Sequence, residues 1–170
     1  FDIRKQSVHG GKIRVFISTK NNFKVKDSVK PFLEEEHRFG LDGIEIYRSF
    51  SVKVAEFKRK LKTELEIIKK ENKSIFLYGA PAKGNVLLNY CNIDASFLDY
   101  VIDTTPLKQG KYTPGTHIPI FPPEKISDKG DGYIALLLAW NYESEILEKE
   151  KQFRRKGGKF LIPIPTPTIK

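Results

Sequence analysis

The sequence predicts an α/β protein: a Rossmann-like, three-layer domain with a mostly parallel sheet, preceded by an N-terminal strand and helices. From residue 74 onward, short apolar runs alternate with stretches of helical pattern, and the connections between them are mostly short. Such alternation is typical of parallel sheets with right-handed crossovers. A glycine-containing turn, 79–84, follows the first apolar run, where sheets of this kind bind their ligands.

The first 48 residues predict one strand and one helix. Ile13, Val15 and Ile17 alternate with other residues, which predicts a strand over 11–17 that pairs with something upstream. Residues 29–39 predict a short helix that ends at Gly40, because glycine adopts the left-handed conformation at little cost. We expect residues 1–48 to form a junction with a neighbouring domain and residues 49–170 to form the Rossmann-like domain.

A long amphipathic helix is predicted next. Ser49 or Ser51 provides the N-cap, and the helix extends to about Asn72. Its apolar stripe consists of Val52, Phe57, Leu61, Leu65 and Ile68. Lysines and glutamates alternate on the remaining surface, which is typical of a solvated helix face.

The remaining elements are predicted from short apolar runs and from the Gly and Pro residues that separate them. The turn residues Gly110, Pro114 and Gly115 lie within a long loop, and prolines interrupt the last run. We predict strands over 75–78, 97–102, 133–138 and 160–162, helices over 82–90, 122–126 and 142–153, a loop over 104–119 and an extended tail over 163–167.

The charge balance leaves an anionic partner open. The 30 Lys and Arg residues exceed the 21 Asp and Glu residues, giving a net charge of +9. This excess permits nucleic acid, a phosphorylated metabolite or an acidic neighbouring domain as partner. Because much of it is spread along the long helix among glutamates, we expect no nucleic-acid partner.

The composition also bears on location. No apolar run approaches the roughly 20 residues that a membrane helix needs, so no membrane span is expected. The first residues lack the layout of a signal peptide, and the chain looks cut from something longer. A single cysteine, Cys91, cannot form an internal disulfide, and we expect a cytoplasmic protein.

The turn after the first strand of the sheet is a candidate anion site. Gly79 lets the backbone approach a ligand closely. The free amides at the start of a helix favour an anion, and Lys83 adds a positive charge to this site. Two known loops do not fit: Asn85 stands where a P-loop requires Lys, and Pro81 replaces the second glycine of the dinucleotide fingerprint. A tight turn with a solvated lysine is the alternative. The candidate ligand-binding residues here are Gly79, Ala80, Pro81, Lys83, Gly84 and Asn85.

A second candidate segment follows the 97–102 strand. Asp103 occupies the position of the acid that binds ribose hydroxyls in dinucleotide enzymes, or it caps the following loop. The loop is long for a structureless connection, and such loops are usually functional or mobile. Lys108, Lys111 and Tyr112 are its candidates for closing over a phosphate or a base.

His9 is the candidate general base. It precedes Gly10 and Gly11, and an imidazole that titrates near neutrality can take a proton from a carbon next to a carbonyl. A loop histidine without a role is the alternative. Neither HxxxH nor CxxC spacing occurs, so we predict no metal site in this chain.

Taken together, these motifs closely resemble the C-terminal domain of bacterial sugar C-methyltransferases that use S-adenosylmethionine. The resemblance covers nearly the whole chain. It rests on His9 to Gly11, Tyr78 to Asn85, Leu87 to Cys91, Asp103 with Pro106 to Tyr112, Pro114 to Ile120, Ala139 to Asn141 and Gly157 to Phe160. In one departure, Lys12 stands where family members often have Ser.

The resemblance implies a three-part enzyme. A small zinc-binding domain and a central domain that binds S-adenosylmethionine would precede this chain, which would lack the donor site, pack on the central domain and be inactive alone. The chain would hold a nucleotide-linked ketosugar whose carbon next to the ketone is deprotonated to an enolate and methylated. His9 would be the base, Gly79 to Asn85 with Lys83 would meet the nucleotide-sugar, and Lys108, Lys111 and Tyr112 would help enclose it.

Two other functions fit the sequence less well. A nucleotide- or NAD(P)-binding Rossmann module of unrelated activity is disfavoured by Pro81 in the glycine fingerprint. A basic nucleic-acid-binding domain is disfavoured by the spread of the charge.

Overall fold

The computed structural model describes residues 1–6 and 11–170, which divide into two compact units, Phe1–Val54 and Ala55–Lys170. Helix α2, Ile44–Lys70, contains both this division and the predicted one between residues 48 and 49. The role of residues 1–48 as a domain junction stays a prediction. No helix among the described residues is long and apolar enough to cross a bilayer.

The first unit contains a two-stranded antiparallel ribbon. Strands β1, Asp2–Gln6, and β2, Lys12–Phe16, pair so that Ile3 lies opposite Val15. The predicted strand therefore has the upstream partner that its pattern required. The buried Asp2 carboxylate accepts hydrogen bonds from Ser28 (2.7 Å) and Lys26 (3.0 Å), which hold its pKa well below the ordinary value.

The first helix of this unit ends at the glycine that the sequence predicted as its stop, and the second begins earlier than predicted. Helix α1, Val29–Phe39, ends at Gly40, whose φ of 71° lies in the left-handed region. The start of α2 at Ile44 corrects the predicted cap at Ser49 or Ser51. A tight turn, closed by the Gly43 amide donating to the Gly40 carbonyl, lets the second helix begin earlier.

The second unit is built on a six-stranded sheet. Its strands are β3 (Ser74–Tyr78), β4 (Val101–Ile102), β5 (Ile120–Phe121), β6 (Tyr133–Leu137), β7 (Lys159–Ile162) and β8 (Thr168–Ile169). They lie in the order β5-β4-β3-β6-β7-β8, and every pair is parallel except β7 with β8. The predicted α/β class and mostly parallel sheet are confirmed, and the arrangement is compatible with a Rossmann-like fold. Packing on a further domain stays a prediction.

Apolar side chains cover both faces of this sheet. Successive residues of β3 point to opposite sides, so Ile75 and Phe76 belong to different clusters. On one face, α2 and helix α3, Ala82–Cys91, contribute Leu61, Leu65, Ile68, Leu87 and Leu88. On the other, Phe76 packs against Tyr100 and Phe153. Both faces of the central strand are thus buried, as in parallel sheets generally.

Several predicted elements need correction. The strand predicted over 97–102 is limited to Val101–Ile102. It is preceded by a turn over 94–97, in which the Asp94 carboxylate accepts hydrogen bonds from Ser96. The helix predicted over 142–153 is two helices, α4 (Glu143–Lys149) and α5 (Lys151–Arg155), because Glu150 leaves the helical conformation.

Short elements escaped prediction. The two-residue strands β5 and β8 were not predicted, although the tail was predicted to be extended. The loop over 104–119 contains a 3₁₀ helix, Pro106–Lys108, and a bridge between Tyr112 and Pro119. The short helix predicted over 122–126 is a 3₁₀ helix, Pro123–Ile126.

Gly158 is expected to be essential for stability, because a Cβ there would overlap the buried Phe153 ring. Overpacking a core costs typically 1–3 kcal/mol, so Gly158→Ala should lower the free energy of unfolding by about that much. Urea denaturation would measure it. Gly43→Ala is the control, since its Cβ would meet its nearest neighbour at an ordinary 3.5 Å. Equal midpoints for both variants would contradict this packing.

Candidate ligand pocket at the carboxyl edge of the sheet

A pocket of about 290 Å³ opens at the carboxyl edge of the parallel strands of the second unit. The chain passes from β3 to β4 on one side and returns to β6 on the other, which makes β3 a topological switch point. Ligands of open α/β sheets bind in the crevice at such points. The lining residues are Tyr78, Gly79, Pro81, Ile102, Asp103, Thr104, Thr105, Lys108, Pro123, Ala139, Tyr142, Glu145, Ile146 and Lys149.

The Asp103 carboxylate joins two of the turns that form this pocket. Its Oδ2 accepts hydrogen bonds from the Ala80 amide at 2.7 Å and from Lys108 Nζ at 3.1 Å. Its Oδ1 accepts a hydrogen bond from the Thr105 amide at 2.8 Å. Lys108 Nζ also donates to the Ala80 carbonyl at 3.0 Å, so the lysine bridges both turns.

These contacts keep Asp103 ionised. Burial raises the pKa of its carboxyl, but the hydrogen bonds from Thr105, Ala80 and Lys108 together outweigh burial, and the pKa lies below the ordinary value. Because both carboxylate oxygens are engaged by the protein, the geometry fits the predicted cap better than a ribose-binding acid. Direct binding of substrate by Asp103 stays a prediction.

The turn 79–84 keeps two of the three roles that glycines play in a dinucleotide fingerprint. Gly79 has φ of 83°, a left-handed conformation that suits glycine. A Cβ at Gly84 would lie 2.8 Å from Leu138 Cβ, so this glycine permits close packing of α3 on the sheet. Pro81, at the middle position, has no N–H to offer a ligand. The amides of Ala82 and Lys83 in the first turn of α3 have no intrahelical partner.

The side chains of Lys83 and Asn85 contact neighbouring residues of the chain. Lys83 Nζ lies 4.2 Å from the centre of the Trp140 ring, a cation–π contact, and burial lowers the pKa of its ammonium group. Asn85 donates to the Pro81 carbonyl at 3.3 Å. Neither residue lines the pocket, and their predicted roles in ligand binding stay predictions.

Of the loop candidates, the structure brings Lys108 to the pocket and leaves Lys111 and Tyr112 away from its lining. Both of the latter are exposed, and their backbones pair with the segment that leads into β5. His9 lies outside the described residues, so its predicted role as a base is not addressed by the geometry.

A second wall of the pocket escaped prediction. Tyr142, Glu145, Ile146 and Lys149 line it from α4 and the residue before it. The hydroxyl of Tyr78, a residue that also lines the pocket, donates to Glu150 Oε1 at 2.6 Å. Burial and this carboxylate raise the pKa of Tyr78, so the phenol keeps its proton at neutral pH. The one sequence signal for this wall was the predicted helix over 142–153, which closely follows the predicted strand over 133–138.

The acidic, cysteine and histidine side chains of the described residues include no group of three or more that could hold a metal ion. The zinc implied by the family resemblance was assigned to a domain outside this chain. That assignment stays a prediction.

The family model for the C-methyltransferase C-terminal domain matches residues 7–165. The chain belongs to this family. The match includes the turn 79–84, the segment after Asp103 and the α4 wall, and it confirms the resemblance inferred from the motifs.

A curated relative agrees with the family assignment. The chain is 37% identical over 169 residues to the C-methyltransferase NovU of Streptomyces niveus. The aligned region covers 99% of this chain and 40% of NovU, so the chain spans less than half the length of that relative.

Replacing Asp103 by Asn should loosen the turns around the pocket, because an amide cannot accept hydrogen bonds at both of its ends. We expect Asp103→Asn to lower the free energy of unfolding by about 1–3 kcal/mol at pH 7. Because the folded-state pKa is depressed, the stabilisation by Asp103 is present above its unfolded pKa of about 3.9 and is lost as the pH falls through the folded value.

The stability gap between wild type and Asp103→Asn should therefore narrow below about pH 4. Urea titrations at several pH values would show this. Asp99→Asn is the matched control, since Asp99 is exposed. A variant with wild-type stability at pH 7 would show that the Asp103 contacts do not stabilise the fold.

Proposed function

We propose that this chain is the substrate-binding domain of a C-methyltransferase that acts on a nucleotide-linked ketosugar. Membership of the C-methyltransferase C-terminal domain family supports the reaction class. The observation that carries the binding role is the pocket at the switch point, beside the start of α3.

The pocket suits the phosphate-bearing part of such a ligand. The amides of Ala82 and Lys83 start α3, where the helix dipole favours an anion. A volume of about 290 Å³ is at the lower end for small-molecule sites, so part of a nucleotide-sugar fits and the rest extends beyond it. Apolar lining by Ile102, Pro123 and Ile146 offers contact to a ring.

In the proposed reaction, the carbon next to the sugar ketone is methylated. The carbonyl makes that carbon acidic, and a positioned base removes its proton. We assign this role to His9, because imidazole is the side chain type whose ordinary pKa lies nearest neutrality. Tyr78 is a poor candidate for the base, since its raised pKa keeps the phenol protonated.

The methyl donor of the family, S-adenosylmethionine, supplies the methyl group when bound. The pocket does not fit this donor. Asp103 holds the position from which an acid would bind the adenosine ribose, but its two oxygens are engaged by Ala80, Thr105 and Lys108. We therefore assign the donor, and the zinc implied by the resemblance, to other domains of the enzyme. We expect this chain alone to bind substrate without methylating it.

Calorimetry with thymidine diphosphate tests the binding role. The diphosphate should bind the isolated chain, and the binding should weaken as salt is added, because the attraction is partly between charges. NADH is the comparison ligand, since Pro81 and the engaged Asp103 disfavour a dinucleotide. Binding of NADH without binding of the diphosphate would favour the NAD(P)-module alternative and overturn the proposal.

The role of His9 requires the C-methyltransferase that contains this domain together with its donor-binding part. His9→Ala should reduce turnover by about 10² to 10⁴, the usual contribution of a general base, with donor binding intact. His37→Ala is the control, because His37 is an exposed residue of α1 paired with Asp42. A His9 variant as fast as wild type would remove this residue from the chemistry.

A further inference from the structure

We infer that Lys149, on the α4 wall, is the cation that faces the phosphate groups of the ligand and gives the pocket its preference for a diphosphate. The inference rests on the proposed function, since it names a binding residue for the same pocket. The charged groups of the pocket differ in how firmly the protein already holds them.

Among the described residues, four charged side chains line the pocket, two of each sign. Asp103 and Lys108 form a close pair, with Lys108 Nζ 3.1 Å from Asp103 Oδ2 and 3.0 Å from the Ala80 carbonyl. The ammonium group of Lys108 thus already has two acceptors and a neutralising carboxylate. Phosphate binding by Lys108 would have to compete with both contacts.

Lys149 is held much more loosely. Its ammonium nitrogen lies 3.9 Å from Glu150 Oε1, at the limit of an ion pair. That oxygen already accepts the Tyr78 hydroxyl at 2.6 Å. The side chain of Lys149 is 54% exposed, so its ammonium group is free to turn toward a ligand.

Lys83, the lysine predicted from the turn, is less well placed for this task. It rests on the face of Trp140 and does not line the pocket. Turning it toward a phosphate would sacrifice the cation–π contact. Lys149 on the α4 wall is therefore better placed to provide the counter-charge.

Glu145 makes the two ends of the α4 wall differ in charge. It lies four residues before Lys149, about one helical turn or 6 Å along α4. Its carboxylate repels an anion at that end of the pocket, so the diphosphate is expected beside Lys149. Removing the Glu145 charge should then favour the same ligand that Lys149 attracts.

The test is the affinity of the chain for thymidine diphosphate, measured by calorimetry at low and moderate salt. Lys149→Met removes the charge while keeping a long side chain, and should weaken binding about ten- to a hundred-fold, the range for losing a hydrogen bond to a charged group. It should also reduce the salt dependence. Glu145→Gln should tighten binding, an outcome that damage to the fold would not produce.

Lys151→Met is the matched control. Lys151 lies two residues away, its ammonium group pairs with Glu148 at 2.8 Å, and it does not line the pocket. This variant should bind like wild type, and Lys83→Met should weaken binding less than Lys149→Met does. Lys149→Arg, which keeps the charge, should retain most of the affinity.

The outcomes separate the two proposals. If the wild-type chain binds the diphosphate and Lys149→Met binds equally well, this inference is wrong and the proposed function stands. If Lys149→Arg is as weak as Lys149→Met, the loss is not one of charge and the inference is again wrong. If wild type does not bind the diphosphate, the proposed function fails, and the inference fails with it.

Discussion

The shape of the pocket depends on one buried carboxylate, that of Asp103. Parallel strands bring the ends of β3 and β4 side by side, but the turns beyond them have no ladder to fix their positions. Hydrogen bonds from Ala80, Thr105 and Lys108 to a single side chain supply that fixation. Because the carboxylate is ionised, each of these bonds is charge-assisted and stronger than a neutral one. The turns are thereby set before any ligand arrives.

The hydrogen bonds around Asp103 make the two sides of the pocket chemically different. The residues around Asp103 are bonded to one another, and little of their polarity remains for a ligand. The α4 wall carries charged side chains with looser contacts, such as Lys149. One side of the pocket therefore acts mainly as a scaffold, and the other side carries the more loosely held charges. The family match includes both sides of the pocket.

Much of the fold was predictable because its strongest signals are local. The apolar runs of β3 and β6 and the glycine stop after α1 lie in the sequence itself. The strands β5 and β8 consist of two residues each, and no periodicity can be detected over that length. In the site, the placement of Asp103 and Lys108 at the carboxyl edge of the sheet was predictable from their positions after a strand. That they bind each other, and that Lys83 rests on Trp140, depends on tertiary contacts between distant segments.

The contact of Gly84 with Leu138 has a consequence for changing the ligand of this pocket. Any larger residue at that position would push α3 away from β6 and carry the neighbouring turn with it. The scaffold side can therefore hardly be redesigned without disturbing the core beneath it. Side chains on α4 project from a helix surface and can be exchanged at lower cost, so attempts to change the ligand of this pocket should begin there.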